Sequence, residues 1–142
     1  MSRLVIDSGV AVKWFVSEAQ SADAARIRDA YDRSALTLLA PDFFVVEFGN
    51  VIWKKQVFQG LDPADAQTAV SGIRAVAILY TRSADLLDDA YRLAVAHRRT
   101  VYDSLYLALA LREGCPFVTA DQKLVNALAG TVPGVTWLGN WP

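Results

Sequence analysis

The chain is predicted to fold as a three-layer α/β/α sandwich around a central, mainly parallel sheet of four to five strands. Short apolar runs of strand length alternate with longer helical stretches along its 142 residues, the pattern of α/β folds. Acidic residues recur where an apolar run ends or a helix begins, which is the rim where such sheets bind ligands. Right-handed crossovers then place helices on both faces.

Residues 4–6 are a short apolar run ending at Asp7 and Gly9, as in a buried first strand followed by a turn. Residues 10–15 predict a short helix, 19–33 a longer polar-faced one, and 36–40 a strand stopped by Pro41. Asp42 stands where a helix to about Phe58 needs its cap, and Gln59-Gly60 ends that helix. Its residues are apolar on nearly every side, which predicts burial on two fronts, the sheet and a partner. Asp62-Pro63 opens the next helix, to about Ala77, with a cap and a proline at its first position. Residues 78–80 supply the short strand that turns four into five. Residues 83–97 are helical, opened by a serine with acids in the first turn. Asp103 is expected to cap residues 104–113, which Gly114 terminates. Residues 117–119 form a buried strand, Asp121 caps 122–128, and 135–138 are the last strand.

The absence of repeats, low-complexity tracts and linkers predicts a single domain over residues 1–142. The hydrophobic fraction is 54%, above the usual share for globular chains. Yet the longest apolar run, residues 105–111, is far too short to span a membrane. Such a chain has surface to hide, and an oligomer or obligate partner is expected. The opening M-S-R-L-V-I-D does not read as a signal peptide. Cys115 is the one cysteine, which excludes an internal disulfide and suits a cytoplasmic protein. It reads as a small buried hydrophobe. A net charge of -1 announces no polyanion binder. Any polyanion would have to be held by local basic groups, among them Lys13, Lys54, Lys55, Arg98, Arg99 and Arg112, and by bound metal.

Four acids carry the chemistry: Asp7, Glu47, Asp103 and Asp121. Singly, Asp103 and Asp121 are plain helix caps, Asp7 a turn former, and Glu47 a solvent-facing residue. Together they fall in the order one rim site requires. Converging carboxylates repel, so one must keep its proton or a cation must sit among them. An all-oxygen set favours Mg²⁺ or Mn²⁺, and metal-dependent chemistry on phosphate follows. Glu47, flanked by Phe44, Val46 and Phe48, needs a cation or donors, and Asn50 lies one turn beyond it. No P-loop or dinucleotide fingerprint is present. With His97 the only histidine and no G-x-S-x-G, paired-histidine, histidine-rich zinc and serine-triad mechanisms fall away. Two other classes stay open. One is an aspartyl-phosphate phosphotransfer protein, although Asp7-Ser8-Gly9 lacks a second acid and Lys123 is poorly placed for a receiver domain. The other is a non-catalytic interaction module on the same fold.

Four segments, V-I-D-S-G-V-A-V-K-W-F, P-D-F-F-V-V-E-F-G-N-V-I-W, T-V-Y-D-S-L-Y-L-A-L-A and F-V-T-A-D-Q-K-L, give the chain a resemblance to the PIN-domain family. They are most similar to its VapC-type ribonuclease toxins. The resemblance covers essentially the whole chain. It implies a PIN-like sandwich and a homodimer with Mg²⁺-dependent cleavage of RNA, for which Mn²⁺ substitutes. It also implies a small antitoxin protein that wraps the toxin and blocks the acidic site. Matched by motif, Asp7, Glu47, Asp103 and Asp121 are the family's catalytic and metal-binding acids. Ser8 and Thr119 match supporting positions, with Asn50 a weaker match. The apolar faces of the 42–58 and 62–77 helices would then bind the second subunit and the antitoxin.

Overall fold

The computed structural model describes residues 2–142; Met1, the first residue of the opening segment, lies outside them. Among the described residues, strands β1 (Ser2–Ile6), β2 (Leu36–Pro41), β3 (Leu79–Thr81), β4 (Phe117–Thr119) and β5 (Val135–Trp137) form one sheet of order β3-β2-β1-β4-β5. Every pairing is parallel. In β1, Leu4, Val5 and Ile6 are all buried, as are Leu38, Leu39 and Ala40 in β2. Successive strand residues point to opposite faces, so both faces of the sheet are covered and the three-layer sandwich is as expected.

The helices are α1 (Ser8–Val12), α2 (Ser21–Asp32), α3 (Phe43–Phe58), α4 (Pro63–Ala75), α5 (Ser83–His97), α6 (Val101–Glu113) and α7 (Gln122–Leu128). A 3₁₀ turn, Leu138–Asn140, follows β5. Helix α6 holds the longest apolar run and is buried nearly all round, from Ser104 to Ala110. It packs on β1, β2 and β4 and is covered by α5, which explains an apolar pattern without a polar face. No helix of the described residues is long and apolar enough to cross a membrane.

Helix α3 buries Phe44, Phe48 and Ile52 at four-residue spacing. Its Val46, Trp53, Val57 and Phe58 are exposed, so the apolar breadth read from the sequence is divided between core and surface. Phe15 reaches α4 across this core, edge-on to the Phe48 ring at 5.9 Å between centroids. A Cβ on Gly72 would come within 2.4 Å of the Phe15 ring, which is why α4 carries glycine there.

Two expected caps are corrected. Asp42 makes no side-chain cap to α3. Its carboxylate accepts instead from the Ser83 backbone N–H at 2.9 Å and the Ser83 hydroxyl at 2.7 Å, while that hydroxyl accepts from the Phe43 N–H. The two helix starts cap each other across the rim, because β2 and β3 run parallel side by side and end together. Asp103 is not the cap of α6 either. That helix begins at Val101, and the Thr100 side chain accepts from the Asp103 N–H at 3.0 Å. Thr100 with an acid three residues on is a capping-box pattern, and it moves Asp103 into the first turn.

Candidate active site

The sheet order reverses about β1, since the chain steps from β1 to β2 on one side and returns to β4 on the other. A parallel sheet opens a crevice at such a point, and Asp7 and Asp121 stand there. Asp7 follows the last residue of β1 and caps α1, its Oδ1 accepting from the Val10 N–H at 3.1 Å. Asp121 lies two residues beyond β4 and caps α7, accepting from the Leu124 N–H at 3.2 Å.

The buried Thr119 hydroxyl joins the two. It donates to Asp7 Oδ2 and accepts from the Asp121 N–H at 3.0 Å. Withdrawal from water pushes the Asp7 carboxyl up to about 6, with Glu47 adding repulsion, and the bonds from Thr119 and Val10 only partly offset the rise.

Glu47 lies part-buried on α3, where two hydroxyls converge on its Oε1: Ser8 at 2.6 Å and Tyr106 at 2.8 Å. These are the donors that the apolar flanks of Glu47 demanded. The Tyr106 ring stacks on Phe117 with centroids 5.5 Å apart, which fixes where its hydroxyl points. Burial and then the Glu47 and Asp7 charges drive the Tyr106 phenol upward, so it stays a donor. Tyr106 escaped the sequence reading because a tyrosine within an apolar helical run looks like core. One signal was present: it stands three residues after Asp103, on the same helical face.

Asp103, in the first turn of α6, is raised by burial and by repulsion from Asp121 and Glu47, against the attraction of Arg99, which lies 3.8 Å away. Asp7, Glu47, Asp103 and Asp121 are thus electrostatic neighbours around one rim. They do not form a closed cage: among the described residues, no three acidic, histidine or cysteine side chains stand close enough to enclose an ion. Like charges spread apart, and three of these carboxylates lean on hydroxyls or helix N–H groups while Asp103 faces Arg99. The donor set is nevertheless all oxygen, the chemistry a hard divalent cation takes, and withdrawal from water holds one carboxyl near 6. Asn50 is exposed one turn beyond Glu47, and no hydrogen bond joins it to the acids among the described residues.

A cleft of about 320 Å³ runs beside Asp7 and Asp121, with Gly9 in its wall and Lys13, Glu18 and Lys55 lining it too. A Cβ on Gly9 would meet the Ala120 Cβ at 3.2 Å and Asp7 Oδ1 at 3.4 Å, so glycine keeps this corner of the cleft open. Cys115, expected to be buried, is only part-buried ahead of β4, and burial raises its thiol. His97 ends α5.

Residues 4–128 match the family model described as the PIN domain. The chain is 29% identical over 133 residues to Ribonuclease VapC3 of Pyrobaculum aerophilum, covering 92% of this chain and 98% of that protein. Among solved structures, PAE2754 of Pyrobaculum aerophilum superposes with a TM-score of 0.70 at 22% identity, over 97% of this chain and 92% of that one. The Mycobacterium tuberculosis toxin VapC20, described as cleaving the sarcin–ricin loop, gives 0.64 at 13% identity, over 93% and 98%. At such identities the two structures speak for the fold.

Proposed function

The chain belongs to the PIN-domain family, and we propose that it is a metal-dependent endoribonuclease, the toxin of a toxin–antitoxin pair. The observation that carries this reading is the link from Asp7 through Thr119 to Asp121 at the sheet's reversal point, with Glu47 a repelling neighbour of Asp7 and Asp103 of both Glu47 and Asp121. The likeness to a VapC ribonuclease over nearly the full length supports it.

In this reading the four acids hold Mg²⁺, with Mn²⁺ able to substitute, and Asp121 serves a second ion or orients the attacking water. When bound, the ion polarises the scissile phosphate and lowers the pKa of a water at the site. The chain's own work is positional. Thr119 aims Asp7 and Asp121, while Ser8 and Tyr106 aim Glu47, as outer hydrogen bonds do around metal ligands. Asn50 is a weaker supporting candidate. Hydrolysis leaves 5′-phosphate and 3′-hydroxyl ends.

The partners that go with this reading are an RNA substrate, a small antitoxin and a second copy of the chain, assembled in the cytoplasm on a single domain of residues 1–142. The exposed apolar residues of α3 suit such contacts. Cleavage-site mapping of total RNA after induced expression, run beside Asp7→Asn and Asp103→Asn, tests the proposal. New 5′-phosphate ends should appear with the parent and vanish with either variant. Cleavage that continues in EDTA, or in both variants, overturns it.

A further inference from the structure

We propose that Lys13 and Lys55 form a phosphate clamp at the mouth of the acidic cleft, and that Glu18 fills this clamp in the free protein as a stand-in for an RNA phosphate. The inference deepens the ribonuclease reading and rests on it.

Lys13 Nζ lies 2.9 Å from Glu18 Oε2, and Lys55 Nζ lies 3.0 Å from Glu18 Oε1. One ammonium thus meets each oxygen of a single carboxylate. Two lysines would hold the two non-bridging oxygens of a phosphodiester in the same manner. Burial alone would raise the Glu18 carboxyl, but the hydrogen bonds and charges of the two lysines outweigh it and hold the group below its ordinary value.

The burial of the lysines is unusual. Their side chains are 9% and 18% exposed, whereas lysines ordinarily keep their ammonium groups in water. Drawing two ammonium groups inward against a single carboxylate costs hydration that one shared anion repays only in part, so folding alone is a weak reason for it. Two cations against one carboxylate also leave a positive charge over, on a rim otherwise crowded with acids.

Their position ties them to the acids. Asp7 caps α1 and Lys13 follows its last residue; Glu47 and Lys55 both lie on α3, eight residues apart and on one face. The helices that carry one pair of acids therefore carry both lysines, and all but Glu47 line the same cleft. Glu18 lies in the exposed stretch of residues 17–19 between α1 and α2, where a side chain can swing into water without disturbing the core. Replacing one singly charged anion by another leaves the charge balance of the lysines unchanged.

The test is fluorescence anisotropy of an end-labelled single-stranded RNA in EDTA, across a range of salt, with thermal melts as a fold check. The Lys13→Gln/Lys55→Gln double variant should bind at least tenfold more weakly. Its slope of log affinity against log salt should fall by about 0.7, the value for the one single-strand phosphate left without its clamp. Glu18→Gln, which vacates the clamp while sparing both lysines, should bind severalfold more tightly. A merely structural triad gives lower melting temperatures with RNA affinity unchanged. Unchanged affinity and slope in the double variant overturns the inference, as does unchanged affinity in Glu18→Gln should the double variant not fold. A parent protein that cuts RNA while its variants behave in this way leaves the ribonuclease reading standing. A parent that neither binds nor cuts RNA removes both.

Discussion

The Thr119 hydroxyl donates to Asp7 from the neighbouring strand, and the same oxygen accepts from the backbone of Asp121. One small side chain thereby sets the orientation of one candidate metal ligand and the backbone of another. Thr119→Val keeps the shape and removes the link. Loss of such an outer hydrogen bond typically costs ten- to a hundredfold in metal affinity or activity. Cleavage should fall by about that much while the protein still melts cooperatively. Because the Thr119 bond lowers the Asp7 carboxyl, the acid limb of the rate profile should also move to higher pH. Full activity with an unmoved profile would contradict this account of Thr119.

Asp7 makes the chelated protein less stable as pH rises. Its carboxyl sits at about 6 in the folded chain against an ordinary 3.8. Below the lower value both states hold the proton, and stability is unaffected. Between the two, the folded state binds the proton that the unfolded chain has released, so stability declines as pH climbs through about 6 and then levels off. The total is about 3 kcal/mol at ~1.4 kcal/mol per pH unit. Denaturant melts in EDTA should therefore show Asp7→Asn more stable than the parent at pH 7.5, with the difference vanishing at pH 4. Added Mg²⁺ should raise the melting temperature of the parent and not of Asp7→Asn, since a ligand stabilises only the state that binds it. Equal melting at pH 7.5 in EDTA would refute the burial argument.

Tyr106→Phe retains the ring that stacks on Phe117 and deletes one of two donors to Glu47. Ser8 still holds that oxygen, so the expected stability cost is modest, about 1 kcal/mol for one net hydrogen bond. Activity should drop about tenfold, mostly as a higher Mg²⁺ requirement. Saturating Mg²⁺ that fails to recover any of the diminished rate would argue against a positioning role.

Gly72→Ala tests the packing beneath α3 and α4. Alanine should favour a helix by about 1 kcal/mol, yet its methyl would press on the Phe15 ring. Overpacking costs about 1–3 kcal/mol, and the net effect should be a lower melting temperature. A more stable variant would show that the Phe15 ring can yield.

Local chemistry makes most of the framework readable in the sequence. Strand ends, glycine and proline stops and the Asp62-Pro63 start are signals carried within a few residues, and the elements they mark are present. Asp7 and Asp121 are legible for the same reason, as each follows a strand directly or within two residues. What escapes depends on residues far apart in the chain. Asp42 looks like a cap for its own helix but bonds to Ser83. Tyr106 reaches back to Glu47 on another helix. Lys13 and Lys55 are only two of several scattered basic groups in the sequence until Glu18 is seen between them. Asp103 is a nearer miss, because Thr100, three residues earlier, is an equally good capping residue and is the one that caps.

The bond between Asp7 and Thr119 spans 112 residues, and the strand that supplies Thr119 is the fourth of five in the chain. A ribosome that has made β1, β2 and α3 has already made Asp7, Ser8 and Glu47, yet the Thr119 bond to Asp7 cannot form before β4 pairs beside β1. A chain still emerging from the machine that makes it therefore carries its first acids without the hydroxyl that later joins one of them to Asp121.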